Sequence, residues 1–147
     1  MKKLSLLFIL FMMAKVMYGL NFSIAPTKFN INLNKIETQE AYIINNTAEP
    51  LRIEVYVDTA EGYEKNNLNS NIVVFPKIVS VKPGMKQVVR FRVKPSKDMK
   101  KGEYKSLLVF KEKPKDIKIV TDENSKNFET DFKFITEVAV GVKGTRD

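Results

Sequence analysis

Three carboxylates in one polar stretch, Asp58, Glu61 and Glu64, are the side chains whose type and spacing come nearest to a chemical site. Several oxygen ligands of this kind could hold a hard cation such as calcium. The stretch lacks the Asp-x-Asp-x-Asp-Gly spacing of a calcium-binding loop, which favours a solvated acidic loop. We therefore predict no metal site and no cofactor.

Residues for the common kinds of catalysis are missing from the composition. The sequence has 147 residues and contains no histidine, no cysteine and no tryptophan. Ser-His and Cys-His nucleophilic sites cannot be assembled, and neither can zinc or haem centres that need these ligands. The 6 glycines are dispersed, so they form no phosphate-binding loop. These absences predict a protein that is not an enzyme.

The first nineteen residues differ from the rest of the chain. Two lysines follow Met1, an apolar run covers residues 4–13, and small residues occur near Gly19. That order is typical of a signal peptide, and the run is shorter than the ~20 residues that span a bilayer. We expect residues 1–19 to be a signal peptide and residues 20–147 to be one exported domain without a membrane span.

The chain is basic, with 25 lysines and arginines against 17 acidic residues and a net charge of +8. Loss of the three lysines in the signal peptide would lower this net charge to +5. The lysines are scattered, without the interleaved aromatic residues of an RNA-binding surface. The charge therefore favours solubility and a generally cationic face, and we predict no nucleic-acid partner.

Most of the sequence after residue 19 alternates apolar and polar side chains with a period of two, which is typical of β-strands. Any binding residue must be positioned by these strands. Pro76 interrupts one such run and predicts an edge, a bulge or a break there. Residues 82–85 read Lys-Pro-Gly-Met, the pattern of a type II turn, and residues 59–71 read as a polar surface loop. The predicted strands cover residues 29–34, 39–44, 51–58, 72–81, 89–94, 104–111 and 128–142.

About seven strands joined by turns, with no helix of useful length, indicate an all-β fold. We predict a single antiparallel β-sandwich of the immunoglobulin-like kind.

Four stretches in order resemble the N-terminal domain of the periplasmic pilus chaperones of PapD type. Residues 25–29 carry Lys28 where the family has an arginine, and residues 44–51 resemble the family's Asn-turn-Pro join. Residues 74–91 resemble its proline strand, Pro-Gly turn and Gln-x-x-Arg strand, and residues 102–110 resemble its Glu-Tyr-Arg-Ser-type strand. The resemblance extends over essentially all of residues 20–147.

This resemblance implies a chaperone that caps an exported, β-rich pilus or fimbrial subunit by donating its last strand. Backbone hydrogen bonds give the affinity in such strand addition, and alternate side chains fill pockets in the partner. The resemblance also allows an outer-membrane usher as a further partner. The donor residues that it implies are Phe128, Thr130, Phe132 and Phe134.

Family members hold the terminal carboxylate of the subunit with two cations, an arginine on the first strand and a lysine on the last. The resemblance gives the first place to Lys28 and the second to Ala139, with Lys133 and Lys143 as neighbouring lysines. It also implies a second sandwich domain, whose linker would begin near residue 144.

Several alternatives stay open. Judged from the residues alone, the three phenylalanines of the last strand could face the protein's own core, and Lys28 could be a solvated strand lysine. The same fold could also serve a structural or adhesive subunit of a surface filament. An enzyme of unusual chemistry is the remaining alternative.

Overall fold

The computed structural model describes residues 20–114 and 135–147, which form two β-sheets packed face to face. One sheet has the strand order β1-β3-β7-β5 and the other has the order β2-β9-β8-β4-β6. The predicted all-β, immunoglobulin-like sandwich is thereby confirmed. The strands are β1 (Phe22–Ala25), β2 (Lys28–Asn32), β3 (Glu37–Asn45), β4 (Leu51–Thr59), β5 (Ile72–Phe75), β6 (Ile78–Val81), β7 (Lys86–Val93), β8 (Gly102–Glu112) and β9 (Glu137–Arg146).

The number of strands exceeds the prediction of about seven for two reasons. Pro76 divides the run over residues 72–81 into β5 and β6, which lie in different sheets. Proline has no N–H to give to a sheet ladder, so the break predicted there is confirmed. Strand β1 was not predicted, because its four residues are too few for alternation to stand out and Pro26 follows it closely.

One pair of strands departs from the antiparallel expectation. Strand β2 runs parallel to β9, with Lys28 opposite Gly141 and Asn32 opposite Thr145. The two residues between β1 and β2, Pro26 and Thr27, carry the chain from one sheet to the other. Strand β2 therefore joins the second sheet beside β9 and in the same direction.

The last strand extends further than predicted. Its expected end was Val142, with a linker from Gly144, but β9 continues to Arg146. Leu33 holds this end, because its N–H donates to the Thr145 carbonyl over 2.9 Å and its carbonyl accepts from Arg146 Nη1 over 3.0 Å. Gly144 packs on the same leucine so closely that an added Cβ would lie 2.7 Å from Leu33 Cδ1. The predicted beginning of this strand, residues 128–134, lies outside the described residues.

The core lies between the sheets and consists of the inward-facing side chains of both. Phe22, Phe91 and Phe110 are fully buried there, and the rings of Phe29 and Phe91 meet edge to face with centroids 4.8 Å apart. Leu108, Val109 and Phe110 of β8 are buried in succession, so both faces of this strand are covered at that point.

Asn45 joins two turns at one end of the sandwich. Its side chain is 1% exposed, and Nδ2 donates to the carbonyls of Glu49 over 2.7 Å and Val81 over 2.9 Å. Its Oδ1 accepts the Thr47 N–H over 2.8 Å, and its carbonyl accepts the Gly84 N–H over 3.1 Å. Every polar atom of this buried amide therefore has a partner.

The turn over residues 82–85 has the predicted form. The Met85 N–H donates to the Lys82 carbonyl over 3.0 Å, and Gly84 has a φ of 67°. A positive φ at the third position of a type II turn is the reason for glycine there.

The connection between β4 and β5 is more than the surface loop that its polar composition predicts. Leu68 is fully buried, and Asn69–Asn71 form one turn of 3-10 helix. The buried Ser106 hydroxyl of β8 fixes this segment, because it accepts the Leu68 N–H over 2.7 Å and donates to Asn69 Oδ1 over 2.6 Å.

Two of the three carboxylates singled out in the sequence, Asp58 at the end of β4 and Glu64 in the connection, accept hydrogen bonds from nearby backbone N–H groups. Asp58 Oδ1 accepts the Thr59 N–H over 2.7 Å, and Glu64 Oε1 accepts the Gly62 N–H over 3.1 Å. Within residues 20–114 and 135–147, no three side chains of the metal-ligating types lie close enough to hold an ion.

A second attachment of this connection is ionic. The Tyr63 hydroxyl donates to Glu103 Oε1 over 2.6 Å, and Lys143 Nζ lies 2.7 Å from Glu103 Oε2. The hydrogen bond from Lys143, followed by that from Tyr63, lowers the pKa of Glu103 below its usual range. The same carboxylate raises the pKa of Lys143 and of Tyr63. The loop, β8 and β9 are thus linked on the outer face of the second sheet.

The Asn45→Ala substitution is expected to lower the free energy of unfolding by about 2 to 4 kcal/mol, because it leaves buried backbone groups of two turns without partners. Urea denaturation measures this change. Asn46→Ala is the control, since Asn46 is exposed, and its effect should stay below about 1 kcal/mol. Equal midpoints for the two variants would contradict the role of Asn45 in joining the turns.

Glu103 predicts a pH dependence of stability. Its pKa is lower in the folded protein than in the unfolded chain, where it is about 4.3. The carboxylate therefore stabilises the fold above about pH 4.3, and this contribution disappears as the pH falls through the lower folded value. Glu103→Gln should lose less stability than the parent between about pH 5 and pH 3, by a small amount because the group is exposed. Identical urea midpoints against pH for the two proteins would contradict this link.

Candidate functional site

Strand β9 is paired on both sides for only part of its length. It pairs with β8 throughout, from Glu137 opposite Lys111 to Arg146 opposite Gly102. Strand β2 pairs with it only over residues 141–145. Within the described part of the chain, nothing pairs with residues 137–140 on that side. This open edge presents backbone N–H and C=O groups that can bind another strand.

The side chains of the open edge alternate between the core and solvent. Val140 is buried and Val138 is half-buried on the core side, whereas Glu137 and Ala139 are exposed. Glu137 pairs with Lys111 of β8 at 3.7 Å. The core side of the edge is therefore apolar and its outer side is polar.

Glu112 fixes the point at which β9 leaves the sandwich. Its N–H donates to the Thr136 carbonyl over 3.0 Å, and its carboxylate accepts the Thr136 N–H over 3.3 Å and Asn21 Nδ2 over 2.9 Å. The residue is 8% exposed. We did not single it out from the sequence, although it follows Leu108 and Phe110 at inward positions where a carboxylate is unexpected.

Lys28 lies on the outer face of β2, where its side chain is exposed. It forms no ion pair with any residue in the described ranges. Its Cα partner on β9 is Gly141, and Ala139, to which the resemblance gives the family's second place, lies two residues earlier on the same strand. Of the two neighbouring lysines, Lys143 is engaged by Glu103 and Lys133 lies outside the described residues.

The structure therefore brings Lys28 to the end of the open edge, where β2 begins to pair with β9. The other four predicted site residues, Phe128, Thr130, Phe132 and Phe134, lie outside the described residues. The part of the chain that is described has no helix with the length and apolar character needed to cross a membrane.

Comparison with known proteins identifies relatives of this fold. The family model described as "Pili and flagellar-assembly chaperone, PapD N-terminal domain" matches residues 21–136. The chaperone DraB of E. coli has a similar structure, with a TM-score of 0.63 and 11% sequence identity over 86% of this chain and 56% of that one.

Two solved complexes contain further similar chains. One is the Salmonella enterica SafA pilin with the SafB chaperone, with a TM-score of 0.62 and 15% identity over 88% of this chain and 56% of that one. The other is the CsuC–CsuE chaperone–tip subunit complex of Acinetobacter baumannii, with a TM-score of 0.58 and 16% identity over 86% and 52% of the two chains.

These identities establish a shared fold, and the chain spans little more than half the length of the solved chains that it matches. No curated protein matches the sequence.

The family model covers most of the chain, including β1 to β8, and its match ends at Thr136, directly before the open edge. The family consists of assembly chaperones and not of enzymes, which confirms the prediction of a protein that is not an enzyme. The chain belongs to the pili and flagellar-assembly chaperone family and carries its PapD N-terminal domain.

Proposed function

We propose that this protein is a periplasmic chaperone that caps an exported pilus or fimbrial subunit by strand addition to the open edge of β9. The observation that carries the proposal is the absence of a described pairing partner for residues 137–140, on the side where β2 pairs further along. A strand of the subunit that binds there continues the ladder that β2 begins. Unpaired backbone groups at such an edge supply most of the affinity in strand addition.

The proposal includes the residues that precede the open edge in the sequence. In the sequence, even-numbered residues before position 135 share their parity with Val138 and Val140, which face the core side. In one continuous strand they would present apolar side chains to the core of the bound subunit. These donor residues are Phe128, Thr130, Phe132 and Phe134.

Lys28 gives the site a fixed end. An ammonium group at the point where β2 meets β9 suits the terminal carboxylate of the subunit, which it holds by a charge-assisted hydrogen bond. The register of the added strand then follows from the position of its last residue. The chaperones in the SafA–SafB and CsuC–CsuE complexes are bound to pilus subunits, which supports a partner of this class.

Export and assembly complete the proposal. Residues 1–19 have the order of a signal peptide, which would deliver residues 20–147 to the periplasm. An outer-membrane usher is the proposed recipient of the complex between the chaperone and the subunit.

Two phenylalanines test the donor segment. The double substitution Phe132→Ser with Phe134→Ser should lower recovery of soluble, co-expressed subunit at least tenfold, because the apolar side chains that fill its groove are lost. The urea midpoint of the free protein should change little. Lys133→Ser is the matched control, since it lies between them with the opposite parity, and it should retain capture.

If the two phenylalanines belong to the protein's own core, each truncation should cost about 3 kcal/mol or more and the urea midpoint should fall sharply. That result would contradict the donor assignment. Recovery of the protein as a repeating component of surface filaments would instead establish the structural-subunit alternative.

Lys28→Ala should weaken subunit capture about tenfold, since the carboxylate then loses a charged partner. The thermal midpoint should be nearly unchanged, because an exposed lysine contributes only about 0 to 1 kcal/mol to folding. Lys82→Ala, which removes an exposed lysine from the turn over residues 82–85, is the control and should bind like the parent. Unaltered capture by Lys28→Ala would remove Lys28 from the site.

A further inference from the structure

We propose that the outer face of the four-stranded sheet, at β5 and β7, is a docking surface for an acidic, amphipathic peptide segment of a partner protein. This surface is separate from the open edge of β9, which belongs to the other sheet. The segment would place apolar side chains against β5 and carboxylates against β7.

Strand β5 presents two large apolar side chains to solvent. Val73 is 64% exposed and Phe75 is 76% exposed, which are the highest values among the exposed large hydrophobic residues of the described ranges. Both point outward, since residues two apart in a strand share a face, and Ile72 and Val74 point into the core. Two such neighbours on an edge strand form an apolar patch, which marks a surface for interaction when polar groups surround it.

Strand β7 places an arginine beside each of these side chains. Arg90 is the Cα partner of Phe75, and Arg92 is the Cα partner of Val73. Paired residues of neighbouring antiparallel strands have their side chains on the same face of the sheet. The apolar patch is therefore bordered by guanidinium groups along the whole of β5.

A groove of about 450 Å³ lies between the patch and the arginines. Thr38 of β3 and Lys94, which follows β7, complete its lining. Its volume falls within the range of about 300 to 1,000 Å³ that is typical of ligand pockets. The groove combines an apolar wall with a cationic one.

The cations of the groove differ in how their charge is compensated. Arg90 Nε lies 2.7 Å from Glu40 Oε1, so this arginine already has a carboxylate. Arg92 has Thr38 opposite it on β3, and its Nε is 3.5 Å from the threonine hydroxyl oxygen. Neither Arg92 nor Lys94 forms an ion pair with a residue in the described ranges. These two charges suit carboxylates of a ligand, and arginine can bind a carboxylate through two parallel hydrogen bonds.

The charge and the shape of the groove favour a peptide over other occupants. A second copy of this basic chain would bring two sets of these cations together, and like charges repel. The high exposure of Val73 and Phe75 makes the groove shallow, so a lipid chain in it would remain in contact with water. An extended peptide fits, because its alternate side chains can contact β5 and β7 while its backbone stays solvated.

Three synthetic peptides test the surface, and each is acetylated at its start and amidated at its end so that no free carboxylate end can bind near Lys28. The first combines leucines with glutamates, the second has glutamine for each glutamate, and the third has serine for each leucine. The first should bind the parent protein about tenfold more tightly than either of the others, and it should shift the amide resonances of Val73 and Arg92. Equal binding of the glutamate and glutamine peptides would overturn the proposal, as would shifts confined to residues 137–140 or no binding at all.

Three variants locate the binding. Arg92→Ala and Phe75→Ser should each weaken binding of the first peptide about tenfold. Arg52→Ala is the matched control, because it removes an exposed arginine from the outer face of the other sheet, and it should bind like the parent. All three side chains are exposed, so the urea midpoints should stay close to the parental value. An equal loss of binding in Arg52→Ala would reduce the effect to general charge and overturn the proposal.

Two further measurements address the other occupants and the open edge of β9. Binding of the parent to anionic phospholipid vesicles, or its self-association, overturns the peptide proposal if Phe75→Ser abolishes it and the first peptide does not compete with it. Arg92→Ala should still capture the pilus subunit, because strand addition uses the other sheet. Failure of the parent to capture any subunit would contradict the proposed function and leave the peptide result standing.

Discussion

The hydrogen-bonding requirement of one strand edge governs this structure. A strand with a neighbour on each side can satisfy its N–H and C=O groups on both sides, and β9 has two paired neighbours only from Gly141 to Thr145. Before that point its open side has no described partner. Long open edges are a hazard because they recruit other chains, and natural proteins usually shorten or cover them. In the proposed function this hazard is put to use, since the recruited chain is the subunit.

A strand edge that binds a specific partner needs a fixed position, and buried polar groups of the sandwich fix the position of β9. Glu112 binds Thr136 through both its backbone and its carboxylate, so β9 leaves β8 at a fixed residue. The Ser106 hydroxyl of β8 fixes the connection between β4 and β5 by accepting the Leu68 N–H. Buried polar groups that all have hydrogen-bond partners rigidify a fold, because breaking one hydrogen bond leaves its partner group buried without a bond. Rigidity of this kind lowers the entropy lost when the partner binds.

Local sequence was enough to predict the sandwich and most of its strands. The alternation of apolar residues at Leu51, Ile53 and Val55 predicts which face of the strand is buried. Pro76 predicts a break because it has no backbone N–H, and Gly84 predicts a turn because it can adopt a positive φ. The parallel pairing of β2 with β9 could not be read in this way. It joins residues more than a hundred positions apart and depends on where the chain changes sheets.

The candidate site also contains residues that the sequence indicated and residues that only the structure revealed. Lys28 was singled out through the resemblance of residues 25–29 to the family, because the residues alone equally allow a solvated strand lysine. The role of Glu112 could not be predicted from the sequence either, because its partner Thr136 is 24 residues further along the chain.

Amide hydrogen exchange on the chaperone, free and bound to its subunit, tests strand addition at β9 most directly. The amides of residues 137–140 should exchange at least tenfold more slowly in the complex, because a subunit strand then accepts or covers their hydrogen bonds. The amides of β5, the edge strand of the other sheet, should not change. Protection at β5 without protection at residues 137–140 would contradict strand addition at the open edge.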